Sequence, residues 1–392
     1  MKKLLLASAA TLLAPAAIAE EVKLGVLMGF TGPIESMAVN MGKGAELAIK
    51  EVSDSGKFMD GSTVVPIRAD STCVDAAAAT AAAERLITSD GVAGIVGSTC
   101  SGATASVLQN VARPNGMVMI SPSATSPSLS EAEDDGLFFR TPPSDARQGV
   151  VMAEILRDKG VNSVAVTYTN NDYGKGLAES FEHAFTEMGG EVTISAAHED
   201  DKADYSAEVG ALAAAGGEVL VVAGYADRGG AGIVRASIDT GAFDVFHFPD
   251  GMVSEGTIGN FGSEVDGSGG QLPGSDSAGA DKFAEVVGDA FDPTSIFSGE
   301  SYDAAALLLL AMEAAGSTDP QVYKDKILEV ANAPGEQIMP GELGKAMEIL
   351  AGGGDIDYVG ATSVEFLENG DSAGSFREVV MQDGKFETVG FR

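Results

Sequence analysis

From Val22 onward the chain alternates strand-like and helix-like segments with little else between them, and this rhythm constrains the fold more than any other feature. Residues 22–28 are apolar and β-rich, and 37–52 place apolar residues at helical spacing. Segments 64–68, 76–88, 92–96, 102–112 and 117–121 continue as strand, helix, strand, helix and strand. Such βαβ repetition requires a parallel sheet covered by helices on both faces. A second series follows Phe138-Phe139-Arg140. Its predicted helices are 146–159, 174–188, 205–214 and 230–240; its strands are 163–168, 191–196, 218–222 and 245–248. Each series suffices for its own doubly wound sheet, so the expected fold class is α/β with two Rossmann-like lobes.

The remainder is read more coarsely. Residues 262–274, rich in Gly, Ser and Pro, read as a return linker. Helices are expected at 280–291, 302–316, 321–331 and 343–351, and strands at 361–366, 376–382 and 385–389. Asp383-Gly384 between the last two is a hairpin signal.

Met1-Lys2-Lys3, an apolar run over 4–17 and Ala17-Ile18-Ala19 have the three parts of a cleaved secretory signal, so residues 1–19 are expected to be a signal peptide. The run is too short to span about 30 Å of hydrocarbon. An exported chain with only two cysteines, Cys73 and Cys100, is expected to pair them in a disulfide.

Charge narrows the partners. The chain carries 58 acidic and 24 basic residues, a formal net charge of -34. A polyanion without a basic cluster repels phosphate backbones and anionic lipid, which excludes nucleic acid as a partner. Hydrophobic residues still make up 45% of the chain, enough for a large core.

Several motifs have ordinary readings. Gly370-Asp371-Ser372-Ala373-Gly374 matches a nucleophile elbow, but it lies in a strand-rich tail with no histidine after it. His183, His198 and His247 are far apart in sequence and lack metal-ligand spacing. No catalytic constellation, metal site or cofactor motif emerges, so the expectation is a non-enzymatic protein without a cofactor.

The informative residues follow strands, where open α/β sheets bind ligands. Gly97-Ser98-Thr99-Cys100-Ser101-Gly102 leads from a buried strand into a helix, whose N-terminus suits a carboxylate, with the Ser101 hydroxyl as a further donor. Ser121-Pro122-Ser123-Ala124-Thr125 is a second turn of small hydroxyl residues after the next strand. In the second series, Gly224-Tyr225 and Pro249-Asp250-Gly251 place a tyrosine and a carboxylate beyond consecutive strands. Donors on one side and an acceptor on the other are what a zwitterion needs.

Taken in order, these pieces resemble the periplasmic type I solute-binding proteins of ABC transporters, in particular the leucine/isoleucine/valine-binding group. The resemblance also rests on Gly29-Phe30-Thr31-Gly32-Pro33, on Cys73 and Cys100 at the positions of that group's disulfide, on Met119–Thr125 and on Asn171-Asp172-Tyr173-Gly174-Lys175-Gly176. It implies that Ser101 and Thr125 hold an α-carboxylate by their hydroxyls, with backbone from the Ser123-Ala124 turn. Tyr225 would cap the ligand and Tyr173 would line the cleft. Asp250 stands where the group carries a glutamate for the ammonium, and Met37 where it often has an aromatic residue. The implied lobes are 20–141 with about 272–358, and 142–271 with about 359–392, joined by a three-segment hinge. The implied function is periplasmic: a monomer binds a hydrophobic amino acid in the cleft and delivers it to membrane permease subunits. The same fold with an amide, urea or aromatic acid as ligand is the alternative.

Overall fold

The computed structural model describes residues 20–392; the expected signal peptide lies outside the described residues. The first lobe is built on a five-stranded parallel sheet of β1 (Glu21–Met28), β2 (Thr63–Asp70), β3 (Ile95–Gly97), β4 (Met119–Ser121) and β5 (Phe138–Arg140), in the order β2-β1-β3-β4-β5. Reversal of strand order around β1 creates the switch point at which loops part to leave a crevice. The inner strands β1, β3 and β4 are largely buried and mostly apolar, as helices on both faces demand. One of those helices, Ser298–Ala315, is apolar nearly all round and buried along most of its length.

The second lobe holds β6 (Ser163–Thr169), β7 (Glu191–His198), β8 (Val219–Ala223), β9 (Phe246–Phe248) and β10 (Gly269–Pro273), all parallel. An antiparallel hairpin, β13 (Phe376–Gln382) and β14 (Lys385–Phe391), extends it to the order β14-β13-β10-β9-β8-β6-β7. A small parallel pair, β11 (Glu336–Ile338) and β12 (Ile356–Tyr358), flanks the first lobe's helices.

Two expectations change. The supposed linker 262–274 contains β10, a fully buried strand pairing with β9 on one side and β13 on the other. Its glycines signal close packing instead of a flexible connection: a Cβ on Gly270 would lie 2.5 Å from the Phe248 carbonyl oxygen. Segment 361–366 forms no strand beyond a single bridge from Phe366 to Ser372. Its backbone instead serves Asp303, whose carboxylate accepts from the Ala361 and Thr362 N–H groups at 2.7 and 2.9 Å. The Asp383-Gly384 turn has both residues at positive φ, +51° and +73°, the geometry that the twist of a tight hairpin selects.

The chain passes between lobes at three neighbouring places. After β5 it crosses near Pro143, which bridges Ser372; Gly274 and Ser375 join the other two crossings by N–H···O=C and O–H···O=C bonds of 3.0 and 2.9 Å. Ser372 of the hydrolase-like motif therefore sits in the hinge. Residues 361–371 hydrogen-bond to the first lobe, and the chain joins the second sheet at Phe376.

Candidate ligand-binding site

The crevices of both sheets face each other. A small chamber between them is lined from the first lobe by Ile34, Met37, Met41, Thr99, Cys100, Ser101, Ser123 and Phe297. From the second it is lined by Tyr173, Tyr225, Asp250 and Gly251. Its interior admits the centre of a water-sized sphere over about 30 Å³. Treated as a sphere and widened by a water's radius, this is a chamber of about 150 Å³, a size that takes a benzene-sized guest. A broader groove lies beyond Met37, but Ser101, Ser123, Tyr173, Tyr225 and Asp250 do not reach it.

The first-lobe wall consists of turns tied to each other. Cys73 and Cys100 form a disulfide across the chamber's edge. The Ser123 hydroxyl donates to the Thr99 carbonyl at 2.9 Å, and the Ser126 N–H donates to Ser101 Oγ at 3.1 Å, leaving the Ser101 hydrogen available. Ser101 opens the helix Ser101–Val107, which continues through a π-helical turn, Leu108–Ala112. Ala124 lies just behind the wall; its N–H is committed to Ser121 Oγ at 3.0 Å. Thr125 is also behind it, with its buried hydroxyl beside the Asp145 carboxyl.

Arg140 holds this wall in place, a role that its position at a strand end does not reveal in sequence. Fully buried, it donates from Nε to Asp371 at 2.7 Å, from one terminal nitrogen to the carbonyls of Ala124 and Ser126, and from the other to Ser130 Oγ at 2.6 Å. Phe297 is the other residue that sequence reasoning missed. It adopts φ +58° just ahead of helix Ser298–Ala315, a strained conformation for a bulky residue, of the kind that gathers at ligand clamps.

The second-lobe wall is an aromatic and acidic unit. Tyr173 and Tyr225 stack at 5.3 Å with 20° between ring planes. Tyr173 comes from the first turn of helix Asp172–Glu187, which Asn171 caps by accepting from Gly174 N–H. The Tyr173 hydroxyl donates to Asp250 Oδ1 at 2.5 Å, and the Gly251 N–H donates to the same oxygen at 2.8 Å. Gly251 is required here, since a Cβ would lie 2.4 Å from the Gly224 carbonyl oxygen and 2.8 Å from the Tyr173 hydroxyl. Asp250 is 1% exposed, and the Gln148 side chain also lies beside its carboxylate. Burial pushes its carboxyl up from the ordinary value, while Tyr173, Gly251 and Gln148 pull the other way. Burial also raises the Tyr173 and Tyr225 hydroxyls, so both remain donors at neutral pH.

The structure thus brings Met37, Ser101, Ser123, Tyr173, Tyr225 and Asp250 to one chamber. The histidines lie elsewhere. His183 is exposed beside Glu187, whereas His198 and His247 are buried against Thr167 and Gln271. Among the described residues no cluster of His, Cys, Asp or Glu could hold a metal ion, and no helix is long and apolar enough to cross a membrane.

Two hinged α/β lobes closing on a small chamber with opposed polar walls define a cleft-type solute-binding protein. The chain belongs to the periplasmic binding protein family, whose model matches residues 21–335. A Leu/Ile/Val-binding protein homolog from Brucella abortus is 32% identical over 307 residues, covering 77% of this chain and 80% of the relative. A Pseudomonas aeruginosa protein named for binding leucine, isoleucine, valine, threonine and alanine is 27% identical, covering 83% and 86%. The fold matches a leucine-binding protein from Thermotoga maritima at TM-score 0.79 and 23% identity, covering 94% of this chain and 98% of the other. It also matches a Rhodopseudomonas palustris solute-binding protein solved with benzoate, at TM-score 0.74 and 19% identity, covering 94% and 96%.

Proposed function

We propose that this chain is the periplasmic substrate-binding component of an ABC importer and that its ligand is a small amino acid with an apolar side chain. It acts without catalysis: the ligand binds between the lobes and is handed, by the monomer, to permease subunits in the membrane. The observation that carries the reading is Asp250, a buried carboxylate hydrogen-bonded only to neutral groups, on the wall opposite the Thr99–Ser101 and Ser123 turns. An ammonium would pair with Asp250, and a carboxylate with the Ser101 hydroxyl and the N–H groups of the facing turn. Ile34, Met37, Met41 and Phe297 would take the side chain, whose burial contributes about 1.5–3 kcal/mol. Relatives named for leucine, isoleucine and valine support the same ligand class.

A plain aromatic acid fits less well, because its carboxylate would enter a chamber that already holds Asp250 without a cation. The test is calorimetric titration of protein stripped of ligand by unfolding and refolding, against aliphatic amino acids, amides, urea and benzoate. Leucine-type amino acids are expected to bind. Asp250→Asn should weaken them by about 10- to 150-fold, the worth of one charge-assisted hydrogen bond of roughly 1.5–3 kcal/mol. Binding of benzoate or urea but of no amino acid would overturn the reading.

A further inference from the structure

Behind the chamber, where Thr125 of the first lobe meets helix Asp145–Asp158, lies a group of buried polar side chains that ligand contact does not explain. Asp145, which opens that helix, is fully buried, with the Thr125 hydroxyl beside its carboxyl and no ion pair of its own among the described residues. One turn along, the buried Gln148 amide lies beside the Asp250 carboxylate. The Thr125 carbonyl accepts from the Asp145 N–H at 2.8 Å. Two buried carboxyls hydrogen-bonded only to neutral groups call for a physical reason.

The charged surroundings supply it. Gln148 beside Asp250 places the start of the same helix, and with it Asp145, in the field of the Asp250 carboxylate, which also reaches Tyr173 and Tyr225. The nearby cation, Arg140, is committed to Asp371, Ser130 and two carbonyls. Two buried carboxylates without a cation of their own do not both ionise. Burial and Asp250 both push the Asp145 carboxyl well above its usual range, against weaker pulls from Thr125 and Arg140.

We infer that Asp145 and Asp250 hold one proton between them in the ligand-free protein, and that an ammonium ligand takes its place and expels it to solvent. Asp145 is then a positioning residue: without entering the chamber, it sets the charge that the chamber offers. The inference deepens the ammonium assignment above and rests on it. The linkage sign follows from the proton bound before and absent after binding: affinity rises with pH, by up to tenfold per unit, wherever the free pair still holds its proton.

Infrared difference spectra between wild type and Asp145→Asn, both ligand-free at pH 7, test the first half. The wild type should show a protonated carboxyl C=O band that the variant lacks; no such band in the difference overturns the inference, whatever ligand binds. Titration with L-leucine in phosphate and in Tris then tests the second half. Wild type should release up to one proton, read as a buffer-dependent heat, and Asp145→Asn should release none while its affinity stays flat between pH 6 and 9. Equal buffer dependence in both proteins, or none in wild type, refutes the exchange while leaving the amino-acid reading intact. Failure of every amino acid to bind removes that reading instead, and the infrared band still decides whether the proton is shared.

Discussion

The most exposing test of lobe closure is removal of Asp227. Helix Glu35–Ser55 of the first lobe begins after Ile34, which offers its N-terminus no side-chain cap. The cap comes from across the cleft: Asp227, in the turn after β8, accepts from the Ser36 N–H at 2.8 Å. Its other oxygen packs against Gly256, beside the Ser36 and Ser254 hydroxyls. An N-terminal cap contributes about 1 kcal/mol, within a range of roughly 0.5–2. Because this one exists only while the lobes are closed, the whole loss falls on the closed form. Since 1.4 kcal/mol is tenfold in an equilibrium constant, Asp227→Ala should weaken ligand binding by about 5-fold, and stopped-flow release should be faster by a similar factor. The melting midpoint of ligand-free protein should hardly move, while that of saturated protein should fall. Asp227→Asn, also a good cap, should restore binding to within about twofold. An unchanged release rate, or an equal loss of stability with and without ligand, would refute the latch.

Other expectations follow from buried groups. Reducing Cys73–Cys100 opens a loop with a sequence separation of 27 and should cost about 3.5 kcal/mol in denaturant unfolding; Cys100 lines the chamber, so calorimetry should also show weaker binding. Asp371→Ala strands Arg140 as a buried, unpaired cation and should cost about 3–5 kcal/mol by the same unfolding assay. Burial pushes the Asp371 carboxyl up, but Arg140 outweighs it and holds it below the usual value. The wild-type advantage over Asp371→Ala should therefore be complete above the ordinary carboxylate pKa and shrink as pH falls below it. Glu300 behaves in the opposite sense: burial raises its carboxyl to about 8, so the folded state holds a proton that the unfolded chain has lost. Glu300→Gln should match wild type at pH 4 and melt increasingly above it as pH rises toward 8.

Much of this was legible in the sequence because the period of apolar residues reports directly which face of an element is covered. The parallel strands of both lobes other than β5 and β10, the Asp383-Gly384 turn and the placing of Tyr225 and Asp250 after strands follow from local pattern. What pattern concealed depends on distant partners. Gly269-Gly270 reads as a flexible connection until β9 and β13 are seen pressing on both sides. The β-rich composition of 361–366 is overridden by the demand of buried Asp303 for N–H donors. At the site, Arg140 and Asp145 look like ordinary residues at the end of a strand and the start of a helix. The role of Arg140 arises from its contact with residue 371, and the one proposed for Asp145 from the field of residue 250, both far along the chain, and from burial that a short window cannot report.

These contacts also set when the lobes close. Closing an empty cleft would bury the Asp250 carboxylate without a cation, and an under-satisfied buried group costs about 1–3 kcal/mol if polar and more if charged. The Asp227 latch offsets only about 1 kcal/mol of this. Empty closure is therefore disfavoured, and the proton proposed between Asp145 and Asp250 is what keeps that penalty from growing larger still. A ligand ammonium removes it outright, after which latch, apolar wall and facing hydroxyls all act in the same direction. Recognition and closure are then one equilibrium, with the second lobe's buried carboxylate acting as the element that holds the empty protein open.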